Sequence, residues 1–202
     1  MYEITREITK SKTGYYPSDT RDIISNFDNQ LNDIGIFSLS ETAENQLMWS
    51  HYADENRGIA IGFEIVDKSK LADSKHCLKV NYSNDLPSFS VDGFISELSF
   101  SFDANMNPIA LQKISFDDPT FKLAIKTKPT CWEYEKEWRY IEVKSGSYSF
   151  PGRITELVFG LLCSIENREK YKYLINKFIS NSVKFFEIQK VPNSNSIIKV
   201  EI

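Results

Sequence analysis

The spacing of apolar side chains predicts several helices. In these segments apolar residues recur three to four positions apart, which is the pattern of a helix with one buried face. Gly35 directly follows the predicted helix at residues 20–34 and is typical of a helix end. Asp118 followed by Pro119 is typical of a helix start. The predicted helices cover residues 20–34, 44–53 and 165–179, with a further short helix that begins at Asp118-Pro119.

Strands are predicted where apolar and polar residues alternate, or where a short apolar run stands between polar segments. Alternation over residues 59–65 places the apolar side chains on one face, and Gly62 on the other face leaves room for a close neighbour. Residues 84–117 are the least regular part, where we expect an amphipathic turn near Phe94 and Leu98. The predicted strands cover residues 36–39, 59–65, 78–82, 138–143, 154–159, 183–188 and 197–202.

These elements predict an α+β fold in a single domain over residues 1–202. The strand at 154–159, the helix at 165–179 and the strand at 183–188 predict one C-terminal parallel crossover. The remaining strands are expected to form a mixed, mostly antiparallel sheet with flanking helices. Residues 1–19 are polar, and we expect a flexible start there.

Composition narrows the class of protein. The net charge of −4 and the pI near 5.3 argue against binding nucleic acid mainly through phosphate contacts. No stretch approaches the ~20 apolar residues of a transmembrane helix, and the start does not resemble a secretory signal. The three cysteines are too widely spaced for a disulfide framework or a metal knuckle. We therefore expect a cytoplasmic protein that does not bind membranes; its oligomeric state is left open.

Two segments carry candidate chemistry, and the first is LMWSHYAD at residues 47–54. It gathers an indole, a hydroxyl, an imidazole and a phenol on a short helix, in Trp49, Ser50, His51 and Tyr52. Such side chains either bind a ligand or fill the core with their polar atoms satisfied at its rim. For His51 alone the structural interpretation is favoured.

The second segment is CWEYEKEWRY at residues 131–140. If a strand begins early in it, Glu135, Glu137 and Arg139 share one face, whereas Trp132 and other aromatic residues share the opposite face. Carboxylates two residues apart on a strand lie roughly 7 Å from each other, close enough to flank one sugar. The alternative is a solvated edge strand, although a face of four aromatic residues is costly to leave in water.

Familiar cofactor and nucleophile signatures are missing. The sequence has no glycine-rich dinucleotide fingerprint, phosphate loop, helical pair of metal-binding histidines or G-x-S-x-G elbow. Glu135 and Glu137 could hold a divalent cation, but no third carboxylate is placed convincingly beside them. No metal is therefore predicted, and the cofactor is left unknown.

The motifs resemble an uncharacterised bacterial family of domains of unknown function. The resemblance is carried by Phe37-Ser38, by MWSHYA at residues 48–53, by Gly58-Ile59, and by W-x-Y-E-x-E-x-R at residues 132–139. It covers roughly residues 36–160. An upstream strand that the family usually carries is not recognisable, so we expect this chain to be truncated or diverged at its start.

The order of motifs also resembles remote ADP-ribosyltransferases, with a late Glu-x-Glu strand. That resemblance implies NAD as a small-molecule nucleotide substrate. Glu137 would bind the ribose 2′-hydroxyl and stabilise an oxocarbenium-like transition state, and Glu135 would orient the acceptor. Tyr52 or Trp49 would stack on nicotinamide. His51 and Arg139 would contact phosphate or ribose, with Ser50 and Trp132 also lining the substrate site.

Three interpretations stay open at this point. The first is an ADP-ribosyltransferase-like enzyme, and the second is a non-catalytic nucleotide-binding or protein-interaction module. The third is another carboxylate-based activity, such as a hydrolase or nuclease, or a purely structural role for both segments. A site shared by the two segments requires them to meet on one side of a sheet.

Overall fold

Alternating strands and short helices make up the described part of the chain, which in this computed structural model comprises residues 32–85, 95–102, 108–114, 117 and 119–202. The flexible start expected over residues 1–19 and almost all of the helix predicted over residues 20–34 lie outside these residues. The strands are β1 (Gly35–Ser40), β2 (Ile59–Glu64), β3 (Cys77–Lys79), β4 (Asn81–Tyr82), β5 (Ile95–Phe102), β6 (Pro108–Ile114), β7 (Thr127–Lys128), β8 (Glu137–Glu142), β9 (Arg153–Phe159), β10 (Lys184–Lys190) and β11 (Ile197–Glu201).

The α-helices are α1 (Gln46–Tyr52), α2 (Pro119–Lys126) and α3 (Ile165–Phe178), and 3-10 helices cover Lys70–Ala72 and Thr130–Glu135. The predicted helices at 44–53, after Asp118 and at 165–179 are therefore confirmed, with ends that differ by a few residues. In the part of the chain that is described, no helix has the length and apolar character needed to cross a membrane.

The chain divides into two compact units, which are described one at a time. The first comprises Met1–Phe37, Leu78–Thr130 and Ile141–Ser147, and the second comprises Ser38–Cys77, Cys131–Tyr140 and Tyr148–Ile202. The expectation of one domain over residues 1–202 stays a prediction. The sheets are mixed and mostly antiparallel, with helices beside them, so the α+β class is confirmed.

The second unit is built around a four-stranded sheet in the order β11-β10-β9-β2. Strands β9 and β10 are parallel and are connected through α3, which confirms the predicted C-terminal crossover. The two outer pairs, β10 with β11 and β9 with β2, are antiparallel. The crossover brings α3 onto one face of this sheet.

The last three residues of strand β9, Leu157 to Phe159, are buried on both faces of the sheet, which explains why all three are apolar. Leu157 and Phe159 belong to a core cluster that includes Ile175 of α3. Val158 points the other way and belongs to a cluster with Trp49 of α1. Helices α1 and α3 therefore pack on opposite faces of the same sheet.

Strand β2 departs from the predicted alternation at its end. A register shift lies between Gly62 and Phe63, and the strand ends at Glu64, so Ile65 stands outside it and is exposed. The expectation that Ile65 lies on one strand face with the other apolar side chains of residues 59–65 is therefore wrong. Gly62 does face a close neighbour, because a Cβ built there would lie 2.8 Å from the Cβ of Glu156 on β9.

The first unit corrects two expectations. Strands β5 and β6 form an antiparallel pair in which Leu98 lies opposite Gln112, so the amphipathic turn expected near Leu98 is wrong. Phe94 lies outside the described residues. The strand predicted over residues 78–82 is interrupted at Val80, because β3 joins a sheet of order β1-β8-β3 whereas β4 pairs in parallel with β7.

Candidate functional site

Residues 131–140 do not form the single early strand that their alternation predicts. They form a 3-10 helix up to Glu135, then Lys136 with a positive φ of 46°, then β8 from Glu137 onward. The expectation of one ionic and one aromatic face along a continuous strand is therefore wrong. A left-handed backbone conformation is unfavourable for a residue such as lysine, so contacts with neighbouring residues must stabilise this turn.

Those contacts come from the last residue of β1 and the loop that follows it, residues 40–45. The carbonyl oxygens of residues 134, 135 and 136 accept hydrogen bonds from Asn45 Nδ2 (2.8 Å), the Ser40 hydroxyl (2.7 Å) and the Glu41 amide (3.3 Å), respectively. Three successive peptide carbonyls are thereby held by one short loop. The left-handed turn is fixed by this loop, which explains why local alternation fails there.

Asn45 binds in two directions. Its Oδ1 accepts from the amides of Leu47 (2.9 Å) and Met48 (3.4 Å), so it caps the N-terminus of α1. Its Nδ2 donates to the Tyr134 carbonyl. One side chain therefore joins the helix that carries the first motif to the turn that carries the second.

Glu137, one of the two predicted catalytic carboxylates, is held by a hydroxyl and a guanidinium. It is only 6% exposed, and its Oε1 accepts from the Ser38 hydroxyl (2.8 Å) and from Arg139 Nε (2.9 Å). Arg139 Nη2 also donates to Oε2 at 3.3 Å. The guanidinium and the hydroxyl together fix the plane of this carboxylate.

Glu135 is 2% exposed and accepts a hydrogen bond of 2.7 Å from the Tyr52 hydroxyl at Oε1. The Tyr52 side chain itself is 62% exposed. A buried carboxylate is thus connected to the surface by a phenol on α1. The two predicted segments therefore meet in this contact, with Tyr52 supplied by the first and Glu135 by the second.

An aromatic edge surrounds this contact, formed by His51, Tyr52, Trp132 and Tyr134. The ring of His51 lies edge-on to those of Tyr52 (centroids 6.2 Å apart) and Trp132 (6.5 Å). The rings of Trp132 and Tyr134 are tilted against each other at 6.0 Å. His51 and Tyr52 are exposed, and Trp132 and Tyr134 are half-buried, so a flat ligand has ring surface available.

Trp49 and Ser50, predicted to line the same site, are placed elsewhere on α1. Trp49 is 3% exposed within the core, and its indole N–H donates to the Ala43 carbonyl at 2.6 Å. The Ser50 hydroxyl donates to the Gln46 carbonyl at 3.1 Å, one helical turn back. The Trp49 ring packs in the core, so of the two rings predicted to stack on nicotinamide, Tyr52 is the exposed one.

Ser38 binds the Glu137 carboxylate, and Ser40 and Asn45 bind backbone carbonyls of the turn before it. Sequence reasoning assigned none of the three a role. Ser38 and Ser40 both lie on β1, two residues apart and therefore on one side of the strand. That spacing within FSLS was the available signal. Asn45, directly before an apolar helical segment, had the position of an N-cap.

The cysteines do not contribute to this cluster of carboxylates. Cys77 and Cys163 are buried, and burial raises the pKa of both thiols. For Cys77 the charge of Asp73 adds to this, whereas for Cys163 the nearby Arg168 opposes it. Both thiols are accordingly poor nucleophiles near neutral pH.

A surface cleft of about 650 Å³ lies elsewhere in the second unit, lined by residues that include Phe150, Arg153, Ile179 and Lys184. None of the predicted site residues lines it. Arg153 is paired with Glu64, and Lys184 with Glu201 at 3.2 Å. Both of these charged side chains are therefore already in ion pairs. Within the described residues, no group of three His, Cys, Asp or Glu side chains could hold a metal ion.

Comparison with known proteins gives a match to one family model and no activity. Residues 48–140 match the model of a family described as "Protein of unknown function (DUF2971)". This match confirms the predicted resemblance to an uncharacterised family of domains of unknown function, and it contains both motif segments. No curated protein and no solved structure matches the chain.

Proposed function

We propose that this chain, in which residues 48–140 match a family of unknown function, is an ADP-ribosyltransferase-like enzyme that uses NAD. The proposal rests on one observation: two buried carboxylates, Glu135 and Glu137, lie on either side of the Lys136 turn that precedes β8, and they have separate hydrogen-bond donors. Glycosyl transfer commonly uses two carboxyl groups with different environments. We assign the two residues different roles.

Glu137 faces the reacting sugar in this proposal. When the bond between ribose and nicotinamide breaks, positive charge develops on the ribose ring, and a fixed carboxylate stabilises it. Arg139 and Ser38 hold the Glu137 carboxylate by hydrogen bonds of 2.8 to 2.9 Å, so little reorganisation is needed as the charge develops. Arg139 also offers its guanidinium to a ribose or phosphate oxygen.

Glu135 acts on the acceptor, because its carboxylate already accepts a hydrogen bond from a hydroxyl, that of Tyr52. An acceptor hydroxyl in the same position would give its proton to this carboxylate as it attacks. The aromatic edge, chiefly Trp132, then supplies a ring face for the flat, positively charged nicotinamide ring, and His51 beside it contacts ribose or phosphate.

The test is release of nicotinamide. Purified protein incubated with NAD labelled in the nicotinamide ring should release free nicotinamide, and NAD should raise its melting temperature. Glu137→Gln should lower the release rate by on the order of 10²-fold or more, because the stabilising charge is lost. The control is Glu133→Gln, since Glu133 is an exposed carboxylate in the same segment; it should leave the rate unchanged.

One result would reject the proposal, and another would reject the role assigned to Glu137. The first is the absence of nicotinamide release, whether or not NAD shifts the melting temperature. The other is loss of folding in Glu137→Gln, seen by circular dichroism, because it would make the carboxylate a structural partner of Arg139. In the second case the residue assignment fails even if the wild-type protein is active.

A non-catalytic nucleotide-binding or protein-interaction module is the second candidate. The observation that favours it is that both carboxylates are already engaged, Glu137 by a guanidinium and Glu135 by a phenol. The exposed rings of the aromatic edge would then do the binding. This candidate predicts a thermal shift with NAD or another nucleotide and no nicotinamide release.

A further inference from the structure

We propose that Tyr52 is itself an acceptor, and that its phenolic oxygen takes the ADP-ribosyl group from NAD. The inference rests on the proposed function, because it needs NAD to be cleaved at this site. It adds a modification site on α1 and a class of nucleophile, a phenol. The observation that carries it is the hydrogen bond of 2.7 Å between the Tyr52 hydroxyl and the buried Glu135 carboxylate.

A hydroxyl within hydrogen-bond distance of a basic side chain is the usual arrangement of an activated nucleophile. Tyrosine is among the residues that form covalent bonds to sugars in glycosyl-transfer enzymes. Glu135 is 2% exposed, and its Oε1 accepts from the Tyr52 hydroxyl in a part-buried hydrogen bond. Tyr52 is 62% exposed as a residue, so a ligand on the aromatic edge can approach its side chain.

Both partners of this hydrogen bond are held in place, as a nucleophile and its base must be. The backbone of Glu135 is fixed by the Ser40 hydroxyl, which donates to its carbonyl at 2.7 Å. Tyr52 is the last residue of α1, whose first turn is capped by Asn45. The helix is anchored on its other side by the buried Trp49.

The transfer step balances without a further reactant. The Tyr52 oxygen forms a bond to the anomeric carbon of the NAD ribose, and the bond from that carbon to the nicotinamide nitrogen breaks. The electron pair of the broken bond goes to the ring nitrogen, so the pyridinium leaves as neutral nicotinamide. The phenolic proton passes to Glu135. Glu137 stabilises the positive charge on the ribose during the exchange.

Tyr173 is a matched control. It lies on α3 and is 58% exposed, close to the value for Tyr52, but its hydroxyl accepts a hydrogen bond from Lys177 (2.8 Å). Exposure alone would therefore label both tyrosines similarly. Activation by a neighbouring carboxylate would label Tyr52 only.

The experiment incubates the full chain with NAD, measures intact mass and released nicotinamide, and locates any adduct by fragmentation. We expect a mass increase of one ADP-ribosyl group on Tyr52, lost in Tyr52→Phe and retained in Tyr173→Phe. Glu135→Gln should lower the adduct yield by on the order of 10²-fold, because the base is removed while the side-chain shape is kept. Circular dichroism of each variant checks that it is folded.

The wild-type protein alone decides between the outcomes. Nicotinamide release without an adduct on Tyr52 would overturn this inference and leave the proposed function standing. An adduct on Tyr173 as abundant as that on Tyr52 would also overturn it. No nicotinamide release would overturn both the inference and the proposed function.

Discussion

Asn45 offers the sharpest test of how the candidate site is assembled. The amide side chain uses its oxygen for the cap of α1 and its nitrogen for the Tyr134 carbonyl. Asn45→Asp keeps an oxygen for the cap and replaces the donating nitrogen by a charged oxygen. The repulsion between this oxygen and the Tyr134 carbonyl is opposed by the favourable position of the charge at the N-terminus of α1. Asn45→Ala removes both interactions. The pair of variants therefore separates the two directions in which this residue binds.

The expected magnitudes follow from the two bonds. Loss of an N-cap costs about 1 kcal/mol of unfolding free energy. Loss of one hydrogen bond to a part-buried carbonyl costs about 1 kcal/mol more. Asn45→Ala should therefore cost about 2 kcal/mol and Asn45→Asp about 1 kcal/mol. In a chain of 202 residues, 1 kcal/mol lowers the melting temperature by roughly 2–4 °C.

Differential scanning calorimetry and urea unfolding of the two variants and the wild-type protein measure these differences. The expected order of stability is wild type, then Asn45→Asp, then Asn45→Ala. If Asn45→Asp were as stable as the wild-type protein, the bond to the Tyr134 carbonyl would contribute nothing. If the two variants were equally destabilised, the N-cap hydrogen bonds would contribute nothing to the free energy of unfolding.

Two further predictions concern the second unit. Gly160→Ala places a Cβ 2.3 Å from the Asn56 carbonyl oxygen, so we expect a loss of about 1–3 kcal/mol in urea unfolding; unchanged stability would contradict this close approach. Hydrogen bonds from Gln189 and then Arg168 lower the pKa of Glu187 below its usual 4.5, so its contribution is present above pH 4.5 and lost as pH falls further. Glu187→Gln should flatten this acid-side decrease in stability, and an unchanged pH dependence would contradict the assignment.

The C-terminal crossover could be predicted because its elements carry strong local patterns. Strand β9 ends in three consecutive apolar residues, and α3 has helical spacing after its N-cap Ser164, so each element forms as its own sequence indicates. By contrast, β5 was missed although Leu98, Phe100 and Phe102 alternate with serines. The bulge between Ile95 and Glu97 breaks that alternation at its start.

The site could be predicted only in part, for a physical reason. The residue types in both motifs indicated where carboxylates and rings are concentrated. Their orientation depends on Lys136, whose left-handed backbone is stabilised by the loop of residues 40–45, far away in sequence. No local pattern encodes such a contact. The core position of Trp49 likewise depends on β9, over one hundred residues later.

The packing of α1 against the sheet affects how the candidate site unfolds. A helix of seven residues is too short to persist in water on its own, so α1 exists because Trp49 is buried against Val158 and Ile188. Tyr52 and His51 are carried by the same helix, and Asn45 ties it to the turn before β8. Unfolding of the whole of α1 would therefore require the tryptophan to leave the core. The helix that carries His51 and Tyr52 is accordingly coupled to the core of the second unit, although both side chains lie at the surface.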